Sequence, residues 1–132
     1  YENSRTNAKE TNKPKPVTSY AVSKLLADEY IMKHCNSYLI LRGAQKIDPF
    51  PYDTAFTNVY GNFDYADTIA EIVVEMIKTS AEGLFNIGTL KKSMFDLAKL
   101  TKPDVKPGIA PQHFPKDITM NLNKMAKWLE KE

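Results

Sequence analysis

Residues 18–30 read "TSYAVSKLLADEY", and residues 37–42 read "SYLILR". The first stretch has the spacing of a helix and the second the composition of a strand. Thr18 or Ser19 can accept a hydrogen bond from the free N–H groups of a first turn, capping a helix that runs to about His34. Val22, Leu25, Leu26 and Tyr30 recur at helical spacing and predict its buried face. "SYLILR" is short, almost wholly apolar and rich in strand formers, as expected of a strand covered on both sides. A helix that feeds such a strand is the repeating unit of α/β packing.

On the N-terminal side, residues 1–17 are polar and end in Pro14 and Pro16, so an exposed loop is expected. Beyond the strand, "GAQKIDPFPYDTAFTNVYGNF" (43–63) carries prolines and aromatics at intervals that suit no single regular element. Long ordered loops of this kind are often functional. A second helix is predicted over Tyr65–Thr79, with Ile69, Ala70, Val73, Met76 and Ile77 as its apolar stripe and Asp64 or Asp67 at its positive end. "GLFNIG" (83–88) reads as another strand, and "SMFD" (93–96) as a capping-box variant opening a helix with Met94, Leu97 and Ala98 inward. "KPDVKPGIAP" (102–111) is a proline-rich connection. "NLNKMAKWLEKE" closes the chain as a helix with Leu122, Met125, Ala126 and Leu129 on one face. The order is helix, strand, helix, strand, helix, helix. That is an α/β pattern with a small sheet and several helices, and its first helix and strand look like part of something larger.

Composition narrows the function classes. At 132 residues the chain fits one ordinary domain. An apolar content of 42% with 26% charged residues argues against wholesale disorder. A net charge of +2 with no dense Lys/Arg block argues against nucleic acid as a partner. No apolar run approaches the roughly 18–20 residues that span a bilayer, and the polar opening is unlike a secretion signal. Cys35 is alone and cannot form an internal disulfide, which suits a reducing, cytoplasmic setting. It is expected to be a small core-facing residue just after the first helix. His34 and His113 match no ligand spacing, so no metal site is expected. Asp48, Asp53, Asp64 and Asp67 are read as caps and solvated loop charge rather than paired catalytic carboxylates. The aromatics Phe50, Tyr52, Phe56, Tyr60 and Phe63 admit two readings, a stacking surface for a base or sugar and the apolar anchors of a long loop.

Tyr20 and Lys24 carry the chemistry. Positions four apart on a helix face the same way. An ammonium beside a phenol favours the phenolate and lowers its pKa from about 10, which is what a general acid needs to protonate a developing alkoxide near neutral pH. The same spacing is common on solvated helix surfaces, so the pair alone does not decide the matter.

Its context does more. "KPVTSYAVSKLLADEY" resembles the Tyr-x-x-x-Lys helix of the extended short-chain dehydrogenase/reductase family, and "PKPVTSYAVSK" is similar to the version in sugar-nucleotide reductases of the dTDP-4-dehydrorhamnose reductase type. "SYLILR", "FDYADTIAEIVVEMI", "GLFNIGTLKKSMFDLAKLT" and "PKDITMNLNKMAKWL" resemble later segments of that family in the same order. The resemblance covers nearly the whole chain. It implies a Rossmann-type fold and an NAD(P)-dependent reductase of a nucleotide-linked 4-keto sugar. Within it, Tyr20 would donate the proton, and Lys24 would assist Tyr20 and hydrogen-bond the nicotinamide ribose. Gly43 and Ala44 would lie near the nicotinamide through their backbone. Lys116 would meet the substrate's phosphates, at a place where the family usually has arginine, whose planar fork lysine lacks. Ser23 would be helix packing.

The resemblance also implies what these residues do not carry. The glycines stand at 43, 61, 83, 88 and 108, and no two are close enough for the G-x-G-x-x-G turn that cradles a dinucleotide pyrophosphate. Residues 1–42 would then be the catalytic helix and following strand of the Rossmann-type domain, and 43–132 the sugar-nucleotide-binding portion. The chain alone would bind NAD(P)H weakly or not at all. A preceding segment or a second copy (a homodimer) would cover its exposed helix and strand edge. The rival reading is a non-catalytic binding or regulatory subunit that keeps the reductase fold.

Overall fold

The structure, a computed structural model, describes residues 7–16 and 18–130. In chain order the elements are α1 (Ser19–His34), β1 (Leu39–Arg42), β2 (Gln45–Lys46), β3 (Thr54–Phe56), β4 (Tyr60–Gly61) and β5 (Asp64–Tyr65). There follow α2 (Ala66–Lys78), β6 (Gly83–Asn86), β7 (Lys92–Ser93), α3 (Met94–Lys99), β8 (Lys106–Gly108) and α4 (Asn123–Glu130). The four helices and the two longer strands fall where the sequence pattern places them. The short strands within 43–63 and 102–111 are additional, because two or three residues of ladder leave no periodicity to read.

Strands β1 and β6 pair in parallel, Leu39 opposite Gly83 through Arg42 opposite Asn86. One face of this ladder carries Leu39, Leu41, Phe85 and Ile87, and α2 and α4 pack on it through Ile69, Met76, Ile72, Val73, Met125, Trp128 and Leu129. The indole N–H of Trp128 donates to Thr79 Oγ1 at 2.7 Å, so α4 is tied to the end of α2 as well as packed on the sheet. A second core gathers the loop segments: Phe50, Ala55, Val59, Phe63 and Tyr65 meet Leu97 and Ala98 of α3 and Val105 and Ala110. Three short ladders lace this part together: β2 with β5 and β3 with β8 in parallel, and β4 with β7 antiparallel. Ser93 caps α3 as read from "SMFD", its Oγ accepting from Asp96 N at 3.1 Å.

The largest departure from the pattern lies in α1. No residue of this 16-residue helix is buried. Leu25 is half-buried, while Val22, Leu26 and Tyr30 are 41%, 59% and 65% exposed. Helical spacing identifies an apolar face correctly but cannot say whether its cover lies within the same residues. Cys35, which closes α1, is exposed rather than core-facing. Ser23 is likewise exposed and donates to the Tyr20 carbonyl at 2.7 Å on the helix surface. On α2, Ile69 and Met76 are buried and Val73 half-buried, but Ala70 and Ile77 face outward. Among the described residues no helix is long and apolar enough to cross a membrane.

Candidate functional site

Thr18, with extended backbone angles, caps α1 by accepting from Ala21 N at 3.0 Å. One turn inside that cap stand Tyr20 and Lys24. Their side chains lie together, with Lys24 Nζ 5.6 Å from the centre of the Tyr20 ring, and both are open to solvent. An ion pair between Asp28 and Arg42 at 3.5 Å ties α1 to the carboxyl-terminal residue of β1. Lys24 and Tyr20 lie about one and two turns N-terminal to Asp28 on the same helix. Open α/β sheets bind ligands at the carboxyl ends of their strands.

Gly43 and Ala44 leave β1 at the same end. A Cβ on Gly43 would sit 3.0 Å from both the side chain and the carbonyl of Ile87, so glycine lets β1 and β6 stay close where they end. Gly88 is tighter still, since a Cβ there would run into the carbonyl of Asn62. The Ala44 carbonyl accepts from Asp64 N at 3.4 Å. Asp64 Oδ2 in turn accepts from Thr89 Oγ1 at 2.8 Å, and Lys92 Nζ reaches Thr89 Oγ1 at 2.6 Å and the Phe63 carbonyl at 3.0 Å. The Lys92 ammonium is 3.8 Å from Asp64 Oδ2. Burial holds the pKa of Lys92 below the ordinary lysine value, against the opposing pull of Asp64. This polar cluster has no spacing signature in the sequence. Its members come from three separate segments that only the fold brings together.

Lys116 is engaged elsewhere. Its Nζ donates to the carbonyls of Pro111 and Phe114 at 2.5 and 3.1 Å, closing its own loop. Nearby, Lys91 Nζ lies 5.4 Å from the centre of the exposed Tyr60 ring and 3.3 Å from Asp117 Oδ2. The aromatics divide between the two readings: Phe50 and Phe63 are core, Phe56 packs beside the core, and Tyr52 and Tyr60 face solvent. Two shallow depressions of about 480 Å³ each mark the surface. One lies along α2 (Asp67, Ala70, Glu71, Val74, Glu75), the other between Gly88–Lys91 and Met120–Ala126, and Tyr20 and Lys24 border neither. Among the described residues no group of three or more His, Cys, Asp or Glu stands close enough to hold a metal.

Asp117 gives a pH prediction. Burial alone would raise its pKa, but hydrogen bonds from the Thr119 hydroxyl and backbone, and then Lys91, outweigh burial and hold it below the ordinary carboxylate value. A depressed folded-state pKa stabilises the fold above the unfolded value, near 3.9, and that contribution is lost as pH falls through the folded value. Asp117→Asn should therefore flatten the dependence of the melting temperature on pH below about pH 4 relative to the parent chain. Equal acid slopes in thermal melts of the two would contradict this.

No family model and no curated protein matches the sequence. Solved structures do match the fold. A dTDP-4-dehydrorhamnose reductase from Bacillus anthracis, in complex with NADP, superposes with a TM-score of 0.76 at 18% identity, over 97% of this chain and 57% of that one. A hypothetical dTDP-4-dehydrorhamnose reductase from Sulfolobus tokodaii gives 0.71 at 20% identity, over 96% and 54%. A UDP-glucuronic acid 4-epimerase from Bacillus cereus, in complex with NAD, gives 0.67 at 21% identity, over 97% and 51%. The chain thus spans little more than half the length of the structures it matches. Its fold is that of roughly half of a dTDP-4-dehydrorhamnose reductase, with a coverage consistent with the C-terminal part.

Proposed function

We propose that this chain is the proton-donating and substrate-binding portion of an NAD(P)-dependent reductase acting on a nucleotide-linked 4-keto sugar, located in the cytoplasm. The observation that carries the reading is the Tyr20–Lys24 pair. A phenol and an ammonium stand side by side, open to solvent, on the helix that an ion pair ties to the carboxyl-terminal residue of β1. The fold likeness to sugar-nucleotide reductases supports it.

The chain's own residues fit one end of the cofactor. Gly43 and Ala44 offer backbone at the strand end, with Gly43 exposed and lying close against Ile87, and Lys24 can donate to ribose hydroxyls. The glycine-rich turn that would hold the pyrophosphate is not among these 132 residues. When bound, the reduced nicotinamide supplies the hydride that adds to the sugar's carbonyl carbon. Tyr20 gives its phenolic proton to the carbonyl oxygen, which becomes the hydroxyl. Lys24 stabilises the charge left on the phenolic oxygen until solvent returns a proton. Lys116, released from its loop carbonyls, would meet the nucleotide's phosphates as a point charge.

The test is turnover by the protein expressed from its full reading frame. Loss of nicotinamide absorbance should depend on an added nucleotide-linked 4-keto sugar, and a protein that binds the sugar without oxidising NADH or NADPH would contradict the reading in favour of a binding or regulatory role. The 132-residue chain alone should bind either dinucleotide no more tightly than about 1 mM, some 4 kcal/mol. A micromolar constant by calorimetry would show that the pyrophosphate has an anchor within this chain.

A further inference from the structure

We propose that Asp64, Thr89 and Lys92 form a clamp that positions the Gly43–Ala44 turn, the backbone assigned above to the nicotinamide. The inference rests on that reading. Gly43 is exposed, while Ala44 is half-buried and packs beside the second core. Two further contacts help set the position of the turn. Gly43 abuts Ile87 at the end of β6, and the Ala44 carbonyl accepts from Asp64 N, after which β2 runs directly into its ladder with β5, Gln45 opposite Asp64. Asp64 is thus one of the groups that place the turn.

Asp64 is fixed by its side chain as well as its backbone. One carboxylate oxygen accepts from Tyr65 N at 2.8 Å and the other from the Thr89 hydroxyl at 2.8 Å. Thr89 belongs to the segment leaving β6 and is itself anchored by its N–H to the Asn62 carbonyl at 3.0 Å. Lys92 completes the joint by donating to Thr89 Oγ1 and the Phe63 carbonyl. An ammonium with only 19% of its side chain exposed costs desolvation free energy that a methionine of similar length would not. What it adds is direction: its donors fix the hydroxyl that holds the carboxylate of Asp64, whose backbone N–H holds the turn. Misplacing a reacting group by about 1 Å can cost about a hundredfold in rate, so a loosened clamp should register in turnover before it registers in folding.

The experiment uses the protein from its full reading frame with Thr89→Val, Lys92→Met and Asp64→Asn, measuring amide hydrogen exchange over residues 43–46, melting temperature, kcat and KM. The clamp predicts that exchange in this stretch rises and kcat falls, each about tenfold or more, while sugar-nucleotide KM and melting temperature stay close to those of the parent. Exchange unchanged in all three variants would overturn it, as would activity that falls only in step with the melting temperature. Should the parent protein reduce no nucleotide-linked 4-keto sugar, the functional reading fails. The exchange measurement then decides the clamp alone, faster exchange supporting it and unchanged exchange overturning it.

Discussion

Tyr20→Phe should lower kcat of the full-reading-frame protein by about 10²–10⁴-fold, the usual contribution of a positioned general acid. The substitution removes one oxygen and nothing else. That oxygen makes no contact that supports the fold, because the Tyr20 side chain is 72% exposed and its neighbour is Lys24. Melting temperature and sugar-nucleotide binding should stay as they were. Lys24→Met should act in the same direction and also raise the KM for the cofactor, since the ammonium serves both the phenol and the ribose in this account. A Tyr20→Phe protein that turns over within a few-fold of its parent would leave the pair as surface decoration.

The largest expected stability loss comes from Asn86→Leu. Asn86 is fully buried, and its Nδ2 donates to the Ala8 carbonyl at 2.9 Å and the Asn121 carbonyl at 3.2 Å, while its backbone N–H donates to Glu10 Oε2 at 2.9 Å. One side chain thereby joins the strand β6, the segment that leads into α1 and the approach to α4. Leucine keeps the branching at Cγ, is bulkier, and strips a donor from both carbonyls, at about 1–3 kcal/mol for each buried group left short. Ala8 keeps a second donor in Asn121 N at 2.7 Å, which moderates the loss. We expect about 2–4 kcal/mol in urea denaturation, a drop of roughly 10 °C or more in melting temperature for a domain of this size. A change under about 1 kcal/mol would mean that the 7–10 segment is not held by Asn86 in solution.

Local signals carried the helices and the two longer strands into view because each has a property that needs no partner to be read. Thr18 and Ser93 are caps whose bonds are made within three residues, and "SYLILR" and "GLFNIG" are apolar runs of strand length. The Tyr20–Lys24 proximity was legible for the same reason, since helical geometry alone brings the two together. Pairing was not legible. The parallel contact of β1 with β6 joins residues more than forty positions apart, and nothing in either strand names the other. The cover of α1 is not legible in its spacing, which reports an apolar face but not what lies on it. Trp128, which packs edge-on against Phe85 and bonds Thr79, falls outside the stripe drawn through Leu122, Met125, Ala126 and Leu129, although it occupies an adjacent helical position. Asp64 reads in the sequence as a cap or solvated loop charge, and nothing singles out Thr89 or Lys92. Their meeting depends on how residues 63–64 and 89–92 come together, 25 positions apart, which sequence spacing does not encode.

The most direct test is a crystal structure of the full-reading-frame protein with oxidised cofactor and a nucleotide-linked 4-keto sugar bound together. Proton donation by Tyr20 places its phenolic oxygen about 2.6–3.2 Å from the sugar's C4 oxygen, with Lys24 on the ribose and the Gly43–Ala44 backbone along the nicotinamide. A sugar bound with its carbonyl turned to another side chain, and Tyr20 left in solvent, would contradict the assignment.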